Sequence, residues 1–205
     1  MKRISFILAI VMLTACVSSM QAGSAAEVLH KTASKIRNAG KVSCMFTLEG
    51  SKGSLKGTLN SEGSKFKLAT PGSTTWFDGT RMWTSNPGTK EITLVTPTAE
   101  EIRESNPFSY LDSYEKDFNV FFSKRKDSGH YLVLLNPKRE NTGLKAVEVA
   151  VNKKTFLPDR FIVRDSRDNV TTINVNSLSL KSNPGPGGYV CPVESMKDYE
   201  IIDLR

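Results

Sequence analysis

Histidine is nearly missing from this chain: His30 and His130 are the only two among 205 residues. Cysteine is almost as scarce, with three residues at scattered spacing, Cys16, Cys44 and Cys191. These shortages exclude zinc sites of the Cys/His type, and no His/Asp/Glu cluster has metal spacing. Past the first ~15 residues, no apolar run approaches the ~20 that a membrane-spanning helix needs. No glycine-rich phosphate loop follows a strand. A hydrolase needs a nucleophile with a base beside it, and two isolated histidines do not supply one. The neighbouring carboxylates Glu100/Glu101 and Asp165/Asp168 suit a helix dipole and a turn better than acid/base work. The chain reads as a non-enzyme with no cofactor and no metal.

What remains is an ordinary globular composition. Hydrophobic residues make up 39% and charged residues 24%, enough for a packed core. The formal charge is +7, and falls to +5 once Lys2 and Arg3 are set aside with a leader. That excess favours anionic surfaces but is too diffuse to argue for nucleic acid. Lys124-Arg125-Lys126 reads as a solvated turn, with docking of an acidic partner as the other reading.

The leader itself is plain. Met1-Lys2-Arg3 is a short basic segment, and residues 4–13 form an apolar run of signal-peptide length. The chain is expected to be exported, with a signal peptide at 1–24 and a single domain at 25–205. Two readings of the leader's end stand. Leu13-Thr14-Ala15-Cys16 resembles a bacterial lipobox, in which Cys16 becomes a lipidated first residue. Ordinary cleavage among the small residues of 22–26 is the alternative. Cys44 and Cys191 then share an oxidising compartment, where a disulfide persists. Cys44 alternates with Val42, Phe46 and Leu48, so it faces inward on a strand either as one half of that bridge or as a small buried apolar group.

Residues 25–38 predict a helix, with Leu29, Ala33 and Ile36 on one face and Gly40 as its stop. The period then changes. Short alternating segments predict strands near 42–48, 53–61, 65–70, 74–78, 80–85, 91–96, 118–125, 130–136, 145–152, 157–165, 170–180 and 199–204. So many short strands indicate a sandwich or a barrel. Residues 98–114 interrupt them. Thr98 can cap a helix with Glu100 and Glu101 in its first turn, and Pro107 opens a second helical stretch carrying Phe108, Leu111 and Tyr114. A helical insertion of this kind belongs over an opening.

Residues 74–83 carry the sharpest local signal. Asp78-Gly79 predicts a two-residue hairpin turn, with Phe77 opposite Thr80 and Trp76 opposite Arg81. Trp76 and Trp83 then share one face, and Phe77 and Met82 share the other. An antiparallel sheet with one wet face would not need large apolar groups on both. Either both sides are covered or one lines a cavity.

Several segments in one order resemble a known family. They are the opening helix followed by a strand with Phe46, then Lys65-Phe66-Lys67-Leu68 and Pro71, then Trp76-Phe77-Asp78-Gly79 with Trp83. Asn106-Pro107-Phe108, the strand from Leu134 to Lys138, Leu157-Pro158, Asp165, Asp168-Asn169, Thr172 to Asn176 and the tail at 199–205 complete the series. Across nearly the whole mature chain the sequence resembles the periplasmic outer-membrane lipoprotein carrier proteins of the Lol system.

The resemblance implies a mainly β fold with some α, an incomplete and strongly curved antiparallel β-barrel of about 11–12 strands. An N-terminal helix and a short helical insertion would close it over an apolar cavity. It implies a monomeric periplasmic carrier that takes acylated lipoproteins from an inner-membrane transporter to an outer-membrane acceptor. Phe46, Trp76, Phe77, Met82, Trp83, Phe108, Leu111 and Tyr114 are the residues expected to meet acyl chains. Lys67 stands where the family commonly has an arginine that latches the lid, and it lacks arginine's planar fork. Two alternatives share the architecture: a membrane-anchored lipoprotein receptor of the same system, which Cys16 would suit, and a lipid-sensing regulator of envelope stress.

Overall fold

The computed structural model describes residues 23–51, 53–140 and 143–205. The apolar run of the expected signal peptide and Cys16 lie outside the described residues. Helix α1 (Ala25–Ala39) starts where Ser24 accepts a hydrogen bond from the Glu27 amide, and Glu27 itself complements the helix dipole. It ends at Gly40, whose left-handed backbone (φ 68°) turns its N–H back onto Ile36 and Arg37 carbonyls. Val28, Leu29, Thr32 and Ala33 form its buried face.

Six strands follow: β1 (Lys41–Gly50), β2 (Gly53–Glu62), β3 (Lys65–Thr70), β4 (Ser73–Phe77), β5 (Met82–Asn86) and β6 (Glu91–Val95). Helices α2 (Ala99–Ser105) and α3 (Ser109–Asp117) interrupt them. The chain resumes with β7 (Phe118–Phe122), β8 (His130–Pro137), β9 (Leu144–Asn152), β10 (Pro158–Asp165), β11 (Val170–Ser179) and β12 (Glu200–Asp203). Each expected strand is present within a few residues. β7 stops three residues early, before the basic turn.

All twelve belong to one sheet, ordered β12-β6-β5-β4-β3-β2-β1-β11-β10-β9-β8-β7. Two features depart from the expected antiparallel barrel. β12 pairs with β6 in parallel, so the sheet is mixed. The chain between these parallel neighbours runs through the whole second half of the fold, and its last part, residues 180–199 from β11 to β12, crosses over one face of the sheet. The edge strands β7 and β12 are not paired with each other, so hydrogen bonds do not close the barrel.

The sheet nonetheless curls tightly. Ser105 Oγ lies 4.0 Å from Met82 Sδ on β5, while Phe108, three residues on, packs against Phe161 on β10. β5 and β10 are six steps apart, about 29 Å in a flat sheet. Only a curved sheet brings both within reach of one short turn. On the concave side, α1 and α3 complete the main core with Cys44, Leu59, Phe66, Phe77, Val133, Val149 and Phe161. A second, smaller core of Trp76, Trp83, Ile92, Leu94 and Cys191 lies apart from it, packed on Val193, Met196 and Tyr199 of the crossover.

The disulfide considered between Cys44 and Cys191 is not formed: both thiols are free and buried, one in each core. The alternation that turns Cys44 toward the helices keeps it away from the crossover that carries Cys191. Burial pushes the Cys44 thiol up to about 12 and the Cys191 thiol up to about 11, so both are apolar fillers.

Candidate functional site

The hairpin at 74–86 decides which aromatic groups can act together. Its turn is a four-residue loop at 78–81 rather than the expected two-residue turn. Asp78 draws the loop together: its Oδ1 accepts the Thr80 and Arg81 amides at 2.9 and 2.8 Å. Its Oδ2 accepts the Arg81 guanidinium at 3.1 and 3.0 Å, and these bonds hold the Asp78 carboxyl below the usual carboxylate range despite some burial. Trp76 therefore pairs with Trp83 and Phe77 with Met82. A shift of two residues preserves which side chains share a face.

Six of the eight residues expected to meet acyl chains converge on the concave side: Phe46, Phe77, Met82, Phe108, Leu111 and Tyr114 all belong to the main core. Trp76 and Trp83 do not. Period-two alternation turns them to the convex side, where the crossover covers them. Lys67 is there too. Its Nζ donates to the Pro184 carbonyl at 2.9 Å and lies 5.8 Å from the centre of the Trp76 ring. Lys67 thus fastens the Pro/Gly-rich loop of the crossover, not the helical insertion expected of a lid latch.

The helical insertion joins an exposed helix to a buried one. Thr98 and Glu101 form a capping box at the start of α2, and the Glu101 carboxyl is held low by the Thr98 amide and hydroxyl. α2 buries no residue. Asn106 Oδ1 accepts the Phe108 amide at 3.0 Å and shapes the turn around Pro107 into α3. From that turn Phe108 meets Phe161 edge-on, and α3 seats Leu111, Tyr110 and Tyr114. Tyr110 joins the residues expected from sequence; its place four residues before Tyr114, on the same helical face, is the signal that marks it.

The seam around this insertion is polar and thin. Arg103 reaches Asp117 at 3.5 Å, and Tyr114 Oη bonds Glu115 at 2.7 Å and lies 3.4 Å from His30 Nδ1 on α1. Burial, with the Glu115 carboxylate, pushes the Tyr114 hydroxyl up to about 12. A crevice of about 260 Å³ runs along the seam, between Arg37 of α1, Ser61 of β2, and Asn106 and Asp112 of the insertion. Burial there raises the Asp112 carboxyl, against the pull of Arg37. At another margin, Phe46 both enters the core and lines an open groove of about 510 Å³ with Met45, Gly57, Ala69 and Pro71. Gly57 permits this: a Cβ there would strike the Phe46 ring and come within 2.8 Å of the Ala69 carbonyl.

Three of the four carboxylates weighed as acid/base pairs have local structural partners. Asp165 accepts the Arg167 and Asn169 amides, Asp168 binds Lys145 at 2.7 Å, and Glu101 caps α2. Among the described residues no group of three or more His, Cys, Asp or Glu is placed to hold a metal ion. No helix among them is long and apolar enough to cross a membrane. The geometry places α3 and the turn at 106–108 over the apolar concave face of the sheet.

A family model described as outer membrane lipoprotein carrier protein LolA matches residues 16–168. Among solved structures, an uncharacterized conserved protein from Thermus thermophilus superposes with a TM-score of 0.58 at 13% identity. That match covers 87% of this chain and 98% of the other, and it shows a shared fold. A putative outer membrane lipoprotein-sorting protein domain from Vibrio parahaemolyticus gives a TM-score of 0.46 at 13% identity, over 82% of this chain and 97% of that one. A LolA superfamily protein from Nitrosomonas europaea gives 0.40 at 13% identity, over 78% and 95%. No curated protein matches the sequence at a significant level.

Proposed function

Since the chain belongs to the LolA-like outer membrane lipoprotein carrier family, we propose that it is a periplasmic carrier of lipoproteins. It shelters their acyl chains on the concave face of its sheet and passes them from an inner-membrane transporter to an outer-membrane acceptor. The observation that carries this reading is the insertion α2–α3, an externally exposed cover seated on apolar strands by four aromatic and aliphatic side chains. In this structure the cover is closed, and its own side chains occupy the surface an acyl chain would take.

Magnitudes favour exchange between the two. Seating Phe108, Tyr110, Leu111 and Tyr114 stabilises the closed form by about 1.5–3 kcal/mol each, roughly 6–12 kcal/mol together. An acyl chain of about 16 carbons gains on the order of 10 kcal/mol if fully sheltered, at about 0.8 kcal/mol per CH₂. The two terms are similar, so displacing the cover leaves a modest net affinity. A carrier needs that balance, because it must release what it takes up.

Trp76 and Trp83 are no longer part of the proposed lining; Phe46, Phe77, Met82, Phe108, Leu111 and Tyr114 are. The test is competition between a triacylated lipopeptide and an apolar fluorescent dye on detergent-free protein. The lipopeptide should displace the dye at micromolar concentration, and its deacylated form should not. Failure of both dye and lipopeptide to bind would remove the carrier reading.

A further inference from the structure

At the open edge of the sheet, directly after the cover in the chain, exposed aromatic and basic side chains collect at the margin of the main core. Edge strand β7 leaves Phe121 52% and Phe122 43% exposed, and it runs directly into the basic turn at 124–126. Phe122 leans on Tyr131 (ring centroids 6.2 Å), and Tyr131 leans on Phe156 (5.9 Å). Phe156 holds a left-handed backbone (φ 54°), a conformation that bulky residues rarely adopt, so its ring is kept in this row at some cost. Lys31 and Lys153 lie over the rings of Phe156 and Tyr131, at 5.4 and 5.5 Å.

Two turns build this surface together. Lys153 Nζ donates to the Asp127 and Ser128 carbonyls at 2.9 and 3.0 Å, which fixes the 153–156 turn to the 123–129 turn. Lys35 Nζ donates to the Thr155 carbonyl at 2.6 Å and brings α1 alongside. The carboxylates nearby are engaged. Asp127 and Asp159 hold the two ring nitrogens of His130 at 2.9 Å each, Glu148 binds Arg125 at 3.1 Å, and Glu27 faces Lys31 at 4.0 Å. Lys124, Lys126 and Lys154 are exposed cations on the same two turns.

We propose that the turns at 123–129 and 153–156, with the exposed end of β7, form a docking surface for an anionic phospholipid bilayer. Charge complementarity selects this occupant: lysines attract the anionic headgroups while flanking phenylalanines enter the acyl boundary. A purely acidic protein partner would use the cations and gain little from two phenylalanines pointing from opposite faces of an edge strand. Tyr131 and Phe156 touch the rim of the main core, but Phe121, Phe122 and the lysines are not among the residues proposed to line the acyl site, so the proposal does not depend on acyl carriage.

The experiment is cosedimentation of the purified protein with phosphatidylglycerol-containing vesicles and with pure phosphatidylcholine vesicles. Binding should require the anionic lipid and weaken as salt rises. Lys124→Glu/Lys126→Glu should lower partitioning by at least about 25-fold, at about fivefold per lost cation. Phe121→Ser/Phe122→Ser should lower it by about tenfold or more. Exposed Lys181→Glu/Lys197→Glu, away from the patch, should leave it unchanged. Lipopeptide competition with the dye should be unaffected by all three pairs, which separates this surface from the carrier site. Absence of vesicle binding overturns the proposal, as does binding that the patch variants do not reduce. Loss on charge reversal with no effect of the phenylalanine pair would reduce the contact to electrostatic adsorption without insertion and also overturn it.

Discussion

Phe108, in the turn between α2 and α3, meets Phe161 of β10 edge-on, with ring centroids 5.8 Å apart and planes at 81°. This contact ties the exposed insertion to the deepest part of the curved sheet, because Phe161 is completely buried. Edge-to-face geometry adds about 0.5–1.5 kcal/mol to the area buried, and Phe108→Ala should cost about 3–5 kcal/mol in the closed form.

That cost should fall mainly on the insertion. In Phe108→Ala, amides of 99–117 should exchange with solvent faster and apolar dye should bind more, while β8, β9 and β10 keep their protection. Leu111→Glu should have the stronger effect, since Leu111 is fully buried and an unpaired carboxylate cannot stay there. Uniform loss of protection across the sheet would mean that α2–α3 is not a separable cover.

Lys67 should behave differently. Lys67→Ala removes the bond to the Pro184 carbonyl and the cation over Trp76, so it should change tryptophan fluorescence and free the loop at 182–188 to proteolysis. Acyl binding should be unchanged. Reduced lipopeptide affinity with the loop still protected would return Lys67 to the role of latch for the helical cover.

His130 gives the fold a pH dependence with a definite sign. Partial burial opposes its imidazolium, but hydrogen bonds and charge from Asp127 and Asp159 outweigh that and raise its pKa above the usual histidine value. A raised folded-state pKa adds stability that is complete below the ordinary value near 6.5 and disappears as pH climbs through the raised one. Replacing His130 by Gln should therefore lower Tm more at about pH 5.5 than at about pH 8.5. Equal losses at both pH values would show that the imidazolium contributes nothing.

Much of this architecture is legible in the sequence because period-two alternation and turn residues are local signals. They pair Phe77 with Met82 on one face and Trp76 with Trp83 on the other, even though the turn between them differs from the expected one. The difference comes from Asp78, whose carboxylate captures the Thr80 and Arg81 amides and the Arg81 guanidinium and so holds a four-residue loop together; such side-chain bonds leave no mark on hydrophobic pattern. What lies beyond reach is long-range. Nothing local says that residues 180–199 cross the convex face, so the covering of Trp76, the partner of Lys67 and the parallel pairing of β12 have no sequence signal. The same crossover holds Cys191 away from Cys44.

Phe77 and Trp76 are neighbours in sequence but face opposite sides of the sheet, so together they test the central claim. A photo-crosslinking phenylalanine analogue placed at each position in turn, with a triacylated lipopeptide as ligand, reads which face receives the acyl chains. Crosslinks from position 77 and none from position 76 are the predicted result. Crosslinks from position 76, or from neither, would contradict acyl binding beneath the α2–α3 cover.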